Sequence, residues 1–403
     1  MKYAIINGKI YTVDKDERIV NGTILISDGK IEAIKEETET PDGYEIIDAE
    51  GGCILPGFID SHTHQGLWDG TVGWAGFDGN EITNPNTAHV RGLDSINPET
   101  PAFEEAKIGG VTTIQTGPGS GNVIGGTNIV VKTWCESNII DDLIVKEPSS
   151  LKSALGENPK RVYGTDKKMP STRMGTAAVF RQAFIDAQNY AKKWDEYRSK
   201  KKHAEEEGKK DKIPSEPERD LNKEIILKVL KKEIPLNMHC HSANDIISAI
   251  RFKEEFGYDL MLIHATEGHK IADYIATRKI PVSVGPSLVG FEKVELRNMT
   301  FETPSILWKA GVKISIQSDS FTRLKYFSIL PCMAVKEGLP IMEALKAVTI
   351  NAAEMIGVGG RLGSIEPGKD ADLVIWSDHP IENFYAENKI TFINGKIVYK
   401  KEE

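Results

Sequence analysis

The sequence predicts an α/β chain: a closed (β/α)8 barrel beside a smaller β unit to which both termini contribute. Two observations lead there. Between Phe58 and Arg361 strand-like and helix-like runs alternate, the pattern of parallel strands joined by crossover helices. Near the start, Ile6-Asn7-Gly8-Lys9-Ile10 is echoed near the end by Ile393-Asn394-Gly395-Lys396-Ile397, which places the two ends in one small sheet. The length of 403 residues suits one large domain with a second, smaller one. The expected division is 1–57 and 362–403 for the terminal unit and 58–361 for the barrel.

Residues 3–35 read as short β-branched strands punctuated by Asn7-Gly8, Asn21-Gly22 and Asp28-Gly29, dipeptides that favour tight hairpin turns. Terminal fragments of ~50 and ~40 residues bury too little apolar area to stand alone, which favours pairing them. Within the barrel, eight candidate strands fall at 53–61, 111–116, 128–133, 150–155, 236–241, 260–265, 280–285 and 313–318. A barrel of this type needs about 250 residues. The surplus lies at about 190–232, where the mixed-sign run is nearly all charge and reads as a solvated helical hairpin.

Composition narrows the function classes. Fifty Lys and Arg against 59 Asp and Glu give a net charge of −9, a poor surface for nucleic acid. No run approaches the ~20 apolar residues of a membrane span, and the first ten residues lack the apolar core of a signal peptide. The four cysteines, Cys53, Cys135, Cys240 and Cys332, form no C-x-x-C pair, so neither a disulfide framework nor a cysteine zinc ribbon is expected and a cytoplasmic location fits.

The most informative run is Ile54-Leu55-Pro56-Gly57-Phe58-Ile59-Asp60-Ser61-His62-Thr63-His64. Residues i and i+2 of a strand face one side, so His62 and His64 converge, and two imidazoles can share one divalent ion. Leu236-Asn237-Met238-His239-Cys240-His241 is a second strand ending in His-x-His, Leu260-Met261-Leu262-Ile263-His264 ends in His, and Ile314-Ser315-Ile316-Gln317-Ser318-Asp319 ends in Asp. Barrels of this kind keep their active sites at such strand ends. Any one of these residues alone reads as a core histidine or a helix cap; together they read as a metal centre. The Gly-rich run 117–126 lacks a P-loop Lys-Ser/Thr and precedes a strand, so it reads as a barrel-top loop and not as a phosphate cradle.

With these motifs the chain resembles the amidohydrolase superfamily, in its imidazolonepropionase-like and prolidase-like branch. The resemblance rests on Pro56-Gly57-Phe58-Ile59-Asp60-Ser61-His62-Thr63-His64, on Ala347-Val348-Thr349-Ile350-Asn351-Ala352-Ala353, and on the run from Gly363-Ser364-Ile365-Glu366-Pro367-Gly368-Lys369 to Asp370-Ala371-Asp372-Leu373-Val374. It implies a TIM barrel flanked by a β-sandwich built from both termini and a site for one or two divalent ions, with Zn2+ the expected metal. Carried over, His62 and His64 match the first-strand ligands, His239 the fifth, His264 the sixth and Asp319 the eighth. A bridging carboxylate is expected on the fourth strand, where Lys152 as a lysine carbamate is the first choice; Glu157 and Glu147 are alternatives and Lys132 a lesser one. His241 is assigned to substrate contact, and Arg173 to a substrate carboxylate through a bidentate pair.

The implied reaction is hydrolysis of an amide or cyclic amide. Metal-bound hydroxide attacks and Asp319 acts as general acid and base. Prolidase-like dipeptide cleavage is the alternative on the same scaffold. Deamination ranks lower, because no His-x-x-Glu begins at His239 or His241. A metal-free scaffold protein is the rival from another class. The expected partner is a small-molecule substrate, with no nucleic acid or membrane, and homo-oligomers are compatible with the scaffold.

Overall fold

A computed structural model describes residues 1–36, 42–68, 73–290, 292–320 and 323–402. The terminal sheet begins with β1 (Lys2–Tyr11), β2 (Ile19–Ser27), β3 (Lys30–Lys35), β4 (Glu45–Asp48) and β5 (Cys53–Pro56). The barrel follows with β6 (Phe58–Thr63), β7 (Val111–Thr116), β8 (Ile124–Lys132), β9 (Ile144–Ala154), β10 (Leu236–Cys240), β11 (Leu260–His264), β12 (Val282–Val284) and β13 (Ile314–Ile316). The chain then returns through β14 (Leu373–Trp376), β15 (Asn388–Ile393) and β16 (Lys396–Lys400).

Both termini build the first sheet, in the order β16-β15-β14-β5-β1-β2-β3 with β4 also on β1. This is the β-sandwich unit, with Ile5, Ile10, Ile24, Ile54, Leu373 and Phe392 among its buried core. Asp28-Gly29 and Asn394-Gly395 are its tight turns, with φ of 52° and 77° and of 50° and 69°, the left-handed pair that a type I′ turn requires. Asn7-Gly8 and Asn21-Gly22 are not turns. They lie inside β1 and β2, with Gly8 opposite Gly22 at a register shift. A Cβ on Gly22 would stand 1.9 Å from the Lys35 carbonyl oxygen, and one on Gly8 2.4 Å from Ile54, so close approach requires these glycines.

The barrel strands lie side by side in chain order from β6 to β13. Two hydrogen bonds just beyond the strand ends close the ring: Asp319 N–H to the His62 carbonyl at 3.2 Å and His64 N–H to the Ser320 carbonyl at 2.9 Å. The expectation of eight parallel strands is corrected at β8, which runs antiparallel to both β7 and β9. Its connection from β7, residues 117–123, holds no helix and is shorter than the dozen or so residues a crossover needs. The strand expected at 53–61 is likewise two. The chain turns at Gly57, whose N–H bonds the Asp372 carbonyl at 2.9 Å, and β5 stays in the terminal sheet while β6 enters the barrel.

Beneath the site the barrel interior is polar. Ser61 Oγ lies 2.8 Å from both Ser283 Oγ and Ser315 Oγ, and Asn237 donates to Gln115 at 2.7 Å. In the charged segment the first helix spans Arg173–Glu206, beginning before residue 190, with Leu221–Leu230 packed against it. Thr172 caps it by accepting the Gly175 N–H, and Phe180, stacked on Phe184 and Phe252 at centroid distances of 4.4 and 4.7 Å, docks its first half. Among the described residues no helix is long and apolar enough to cross a membrane.

Candidate metal centre

Five histidines and one aspartate meet at the ends of β6, β10, β11 and β13. Their potential ligand atoms form two trios, His62–His64–Asp319 and His239–His241–His264, buried except for a half-buried Asp319, and within each trio all lie within 4.8 Å of one another. His62 Nε2 and His64 Nε2 stand 3.3 and 3.2 Å from Asp319 Oδ1. The His62 and His264 rings, 5.6 Å apart, join the trios. Lys152, buried on β9, places Nζ 3.1 Å from His62 Nε2.

The backbone sets these orientations. His264, Ala265 and Asp319 have φ of 70°, 45° and 53°, a region that costs a non-glycine residue roughly 1–2 kcal/mol and is tolerated where the surroundings over-determine it. His64 Nδ1 lies 2.7 Å from the Gly117 carbonyl and His264 Nδ1 2.7 Å from the Gly285 carbonyl. A carbonyl only accepts, so each ring carries its proton on Nδ1 and turns the Nε2 lone pair into the site. The Gly-rich loop thus orients His64. Its glycines also admit close neighbours, since a Cβ on Gly117 would fall 2.2 Å from Asn128 Oδ1.

The two fifth-strand histidines differ. Among the described residues neither His239 nitrogen has a hydrogen-bond partner, although the ring is buried. Both His241 nitrogens are engaged, Nδ1 by Thr266 Oγ1 at 2.7 Å and Nε2 by Lys293 Nζ at 3.3 Å. Orphaned buried nitrogens on His239, and on His264 at Nε2, are what a metal ligand looks like without its ion. The donor sets fit divalent ions.

Electrostatics favour the same use. Burial, followed by the Lys152 charge, pushes His62 down to about 3. Burial and neighbouring rings hold His239 and His264 well below the usual histidine range. These imidazoles are therefore neutral near pH 7, with lone pairs available. Burial opposes the Asp319 charge, but the His264 ring and the His62 and His64 imidazoles packed against it outweigh that and keep the carboxyl well below its ordinary value. Burial lowers Lys152 to about 8. Behind the site, Asp60 accepts the backbone N–H groups of His62 and Ser318 at 3.2 Å each, and burial raises it to about 7.

The other candidates lie elsewhere. Lys132 is buried between Asp370 and Asp372, joining barrel to sandwich. Glu147 faces Arg91 at 3.3 Å, and Glu157 heads the helix Glu157–Gly164 with its N–H on Glu295. Arg173 is fork-bonded to Asp245 at 2.9 and 3.0 Å and also reaches Glu295 at 2.9 Å, so two carboxylates already satisfy its guanidinium. Lys293, Thr266 and the Gly117 and Gly285 carbonyls carry no sequence signal, being loop groups brought in by folding alone. Substrate choice is expected to lie in the loops of residues 68–98 and 287–304, of which 69–72 and 291 lie outside the described residues.

Residues 53–398 match the Amidohydrolase family. The chain belongs to that family. This amidohydrolase is 43% identical to an amidohydrolase of Thermotoga maritima MSB8, with a TM-score of 0.90 over 99% of this chain and 100% of the other. It is 26% identical over 412 residues to an imidazolonepropionase of Thermoplasma volcanium, covering 95% of this chain and 92% of that one. It is 28% identical over 383 residues to the amidohydrolase tasK of Hapsidospora irregularis, covering 89% of this chain but only 38% of that relative's length. Family membership makes the protein a hydrolase acting on carbon–nitrogen bonds.

Proposed function

We propose that this amidohydrolase opens an amide or cyclic amide, with two divalent ions, Zn2+ by preference, held within the two trios by His62, His64, Asp319, His239 and His264. The observation that carries the reading is the pair of trios joined where the His62 and His264 rings approach, with Lys152 Nζ beside His62 and buried, unpartnered nitrogens on His239 and His264. His62, His64 and Asp319 would hold one ion, and His239 and His264 the other. Ions bound there would polarise the scissile carbonyl and lower the pKa of water from 15.7 toward ~7. Lys152 would bridge as a carbamate: its neutral amine adds to carbon dioxide, forming an N–C bond and releasing one proton. Its depressed pKa of about 8 supplies more neutral amine near pH 7 than an ordinary lysine has.

Asp319 accepts the proton of the attacking water and delivers it to the departing nitrogen. Its carboxylate is held ionised, which suits the first half of that role, and about a third of its side-chain surface, 32%, remains open to the cavity. A dipeptidase reading uses the same residues with a different leaving group. Three measurements test the reading: a screen of cyclic amides, N-acylated amino acids and X-Pro dipeptides with metal-replete protein, a parallel run of Asp319→Asn, and elemental analysis. Asp319→Asn is expected to fold and to lose roughly 10²–10⁴ in kcat, the range for a general acid–base group. Near-wild-type turnover in that variant refutes the role. Below about one tenth of a metal per chain, in protein never exposed to chelator, the metal-free scaffold reading prevails.

A further inference from the structure

Lys293 stands at the mouth of the metal centre. It belongs to the connection between β12 and β13, is half-buried, and touches the site through one contact, Nζ to His241 Nε2 at 3.3 Å. His241 Nδ1 is fixed by Thr266 Oγ1 at 2.7 Å, so the imidazole is a braced acceptor. On its other side Lys293 borders an open cleft of about 580 Å³ shared with Glu157, Glu292, Val294 and Arg297. Among the described residues no carboxylate forms an ion pair with it. Arg173, by contrast, is already matched by Asp245 and Glu295.

We propose that Lys293, held in place by His241, is the anchor for a carboxylate on the substrate. The reading rests on the proposed amide hydrolysis in naming the ligand an amide; the class is then an amide that carries its own carboxylate, such as an N-acyl amino acid. An ammonium has three donors. One is spent on His241, which leaves two for a carboxylate in the cleft. The ammonium is half-buried, its hydrogen-bond partner is an imidazole, and the carboxylates of Asp319, Glu295 and Glu157 act on it only from beyond ion-pair distance; an anionic ligand in the cleft supplies the direct contact that they do not. His241 acts here as a positioning residue, and the fifth-strand nitrogens left free for metal are those of His239.

The test uses metal-replete full-length protein and matched pairs of N-acetyl amino acids and their carboxamides, with Gly, Ala, Leu, Phe, Pro and Asp side chains. Equilibrium binding and turnover are read separately. The expected result is that at least one acid binds about 10-fold or more tightly than its carboxamide. Lys293→Met abolishes that preference, Lys293→Arg keeps most of it, carboxamide binding stays within about twofold, and metal content is unchanged. The preference should also shrink with added salt, as an exposed-side charge pair does. His241→Ala should weaken acid binding with metal retained. The proposal is overturned if no acid is preferred, if the preference survives Lys293→Met, or if acid and carboxamide weaken equally, which marks a purely structural lysine. Acid-selective binding without turnover of any pair would sink the hydrolase reading and leave the anchor standing.

Discussion

His239 and His241 stand two residues apart on one strand, yet their surroundings give them different chemistry. His239 is buried with both nitrogens unpartnered, whereas His241 is held between Thr266 and Lys293. His239→Ala should therefore lower bound metal by about one equivalent per chain, while His241→Ala leaves it near wild type. Equal metal loss in both variants, by elemental analysis, would show that His241 is a ligand as well. Glu267 offers a second test at this scale. Burial opposes its charge, but hydrogen bonds from Lys270, the Ala243 N–H and Asn298 overcome that and lower it from 4.5 to about 2. A depressed carboxyl stabilises the fold above its unfolded pKa, and the increment drains away as pH falls from about 4.5 toward 2. Glu267→Gln should cost on the order of 3 kcal/mol near neutrality, from about 1.4 kcal/mol per pKa unit, and nearly nothing at pH 2. A pH-independent difference in denaturant titrations would refute this.

Single elements show where local rules bend to packing. Asn7-Gly8 and Asn21-Gly22 carry turn chemistry but sit in paired strands, because β5 crowds Gly8 on β1 and β3 crowds Gly22 on β2 where a side chain would not fit. Gly22→Ala drives a Cβ to within 1.9 Å of the Lys35 carbonyl. The expected loss is about 1–3 kcal/mol, the usual cost of overpacking, read as a lower denaturation midpoint; an unchanged midpoint would mean that β3 moves aside freely. The helix Arg173–Glu206 bends the other way: charge dominates its distal half, while Phe180 and Phe184 anchor its start. The change from apolar contact to solvated charge along one helix is why the sequence reading placed its beginning too late.

Across the whole molecule, barrel and sandwich meet at a buried charge cluster. Lys132 at the end of β8 pairs with Asp370 and Asp372, and Asp370 also receives Lys30 and Arg361 at 2.5 Å each. Removing one partner of a buried pair strands the other's charge, at about 3–5 kcal/mol. Lys132→Met should therefore destabilise the chain by about 3 kcal/mol without changing bound metal. A loss below about 1 kcal/mol in equilibrium unfolding would show that the cluster is not what joins the two units.

The barrel, the sheet shared by the termini and the convergence of His62, His64, His239, His264 and Asp319 follow from the sequence by itself. Strand periodicity and a His or Asp at a strand's end are local patterns, and a closed barrel brings all such ends to one face. The antiparallel course of β8, the break at Gly57, the neutralisation of Arg173 and the pairing of Lys293 with His241 were decided only in three dimensions. Each depends on what lies across a gap in space from a residue, and neighbours far apart in the chain leave no periodic trace in it.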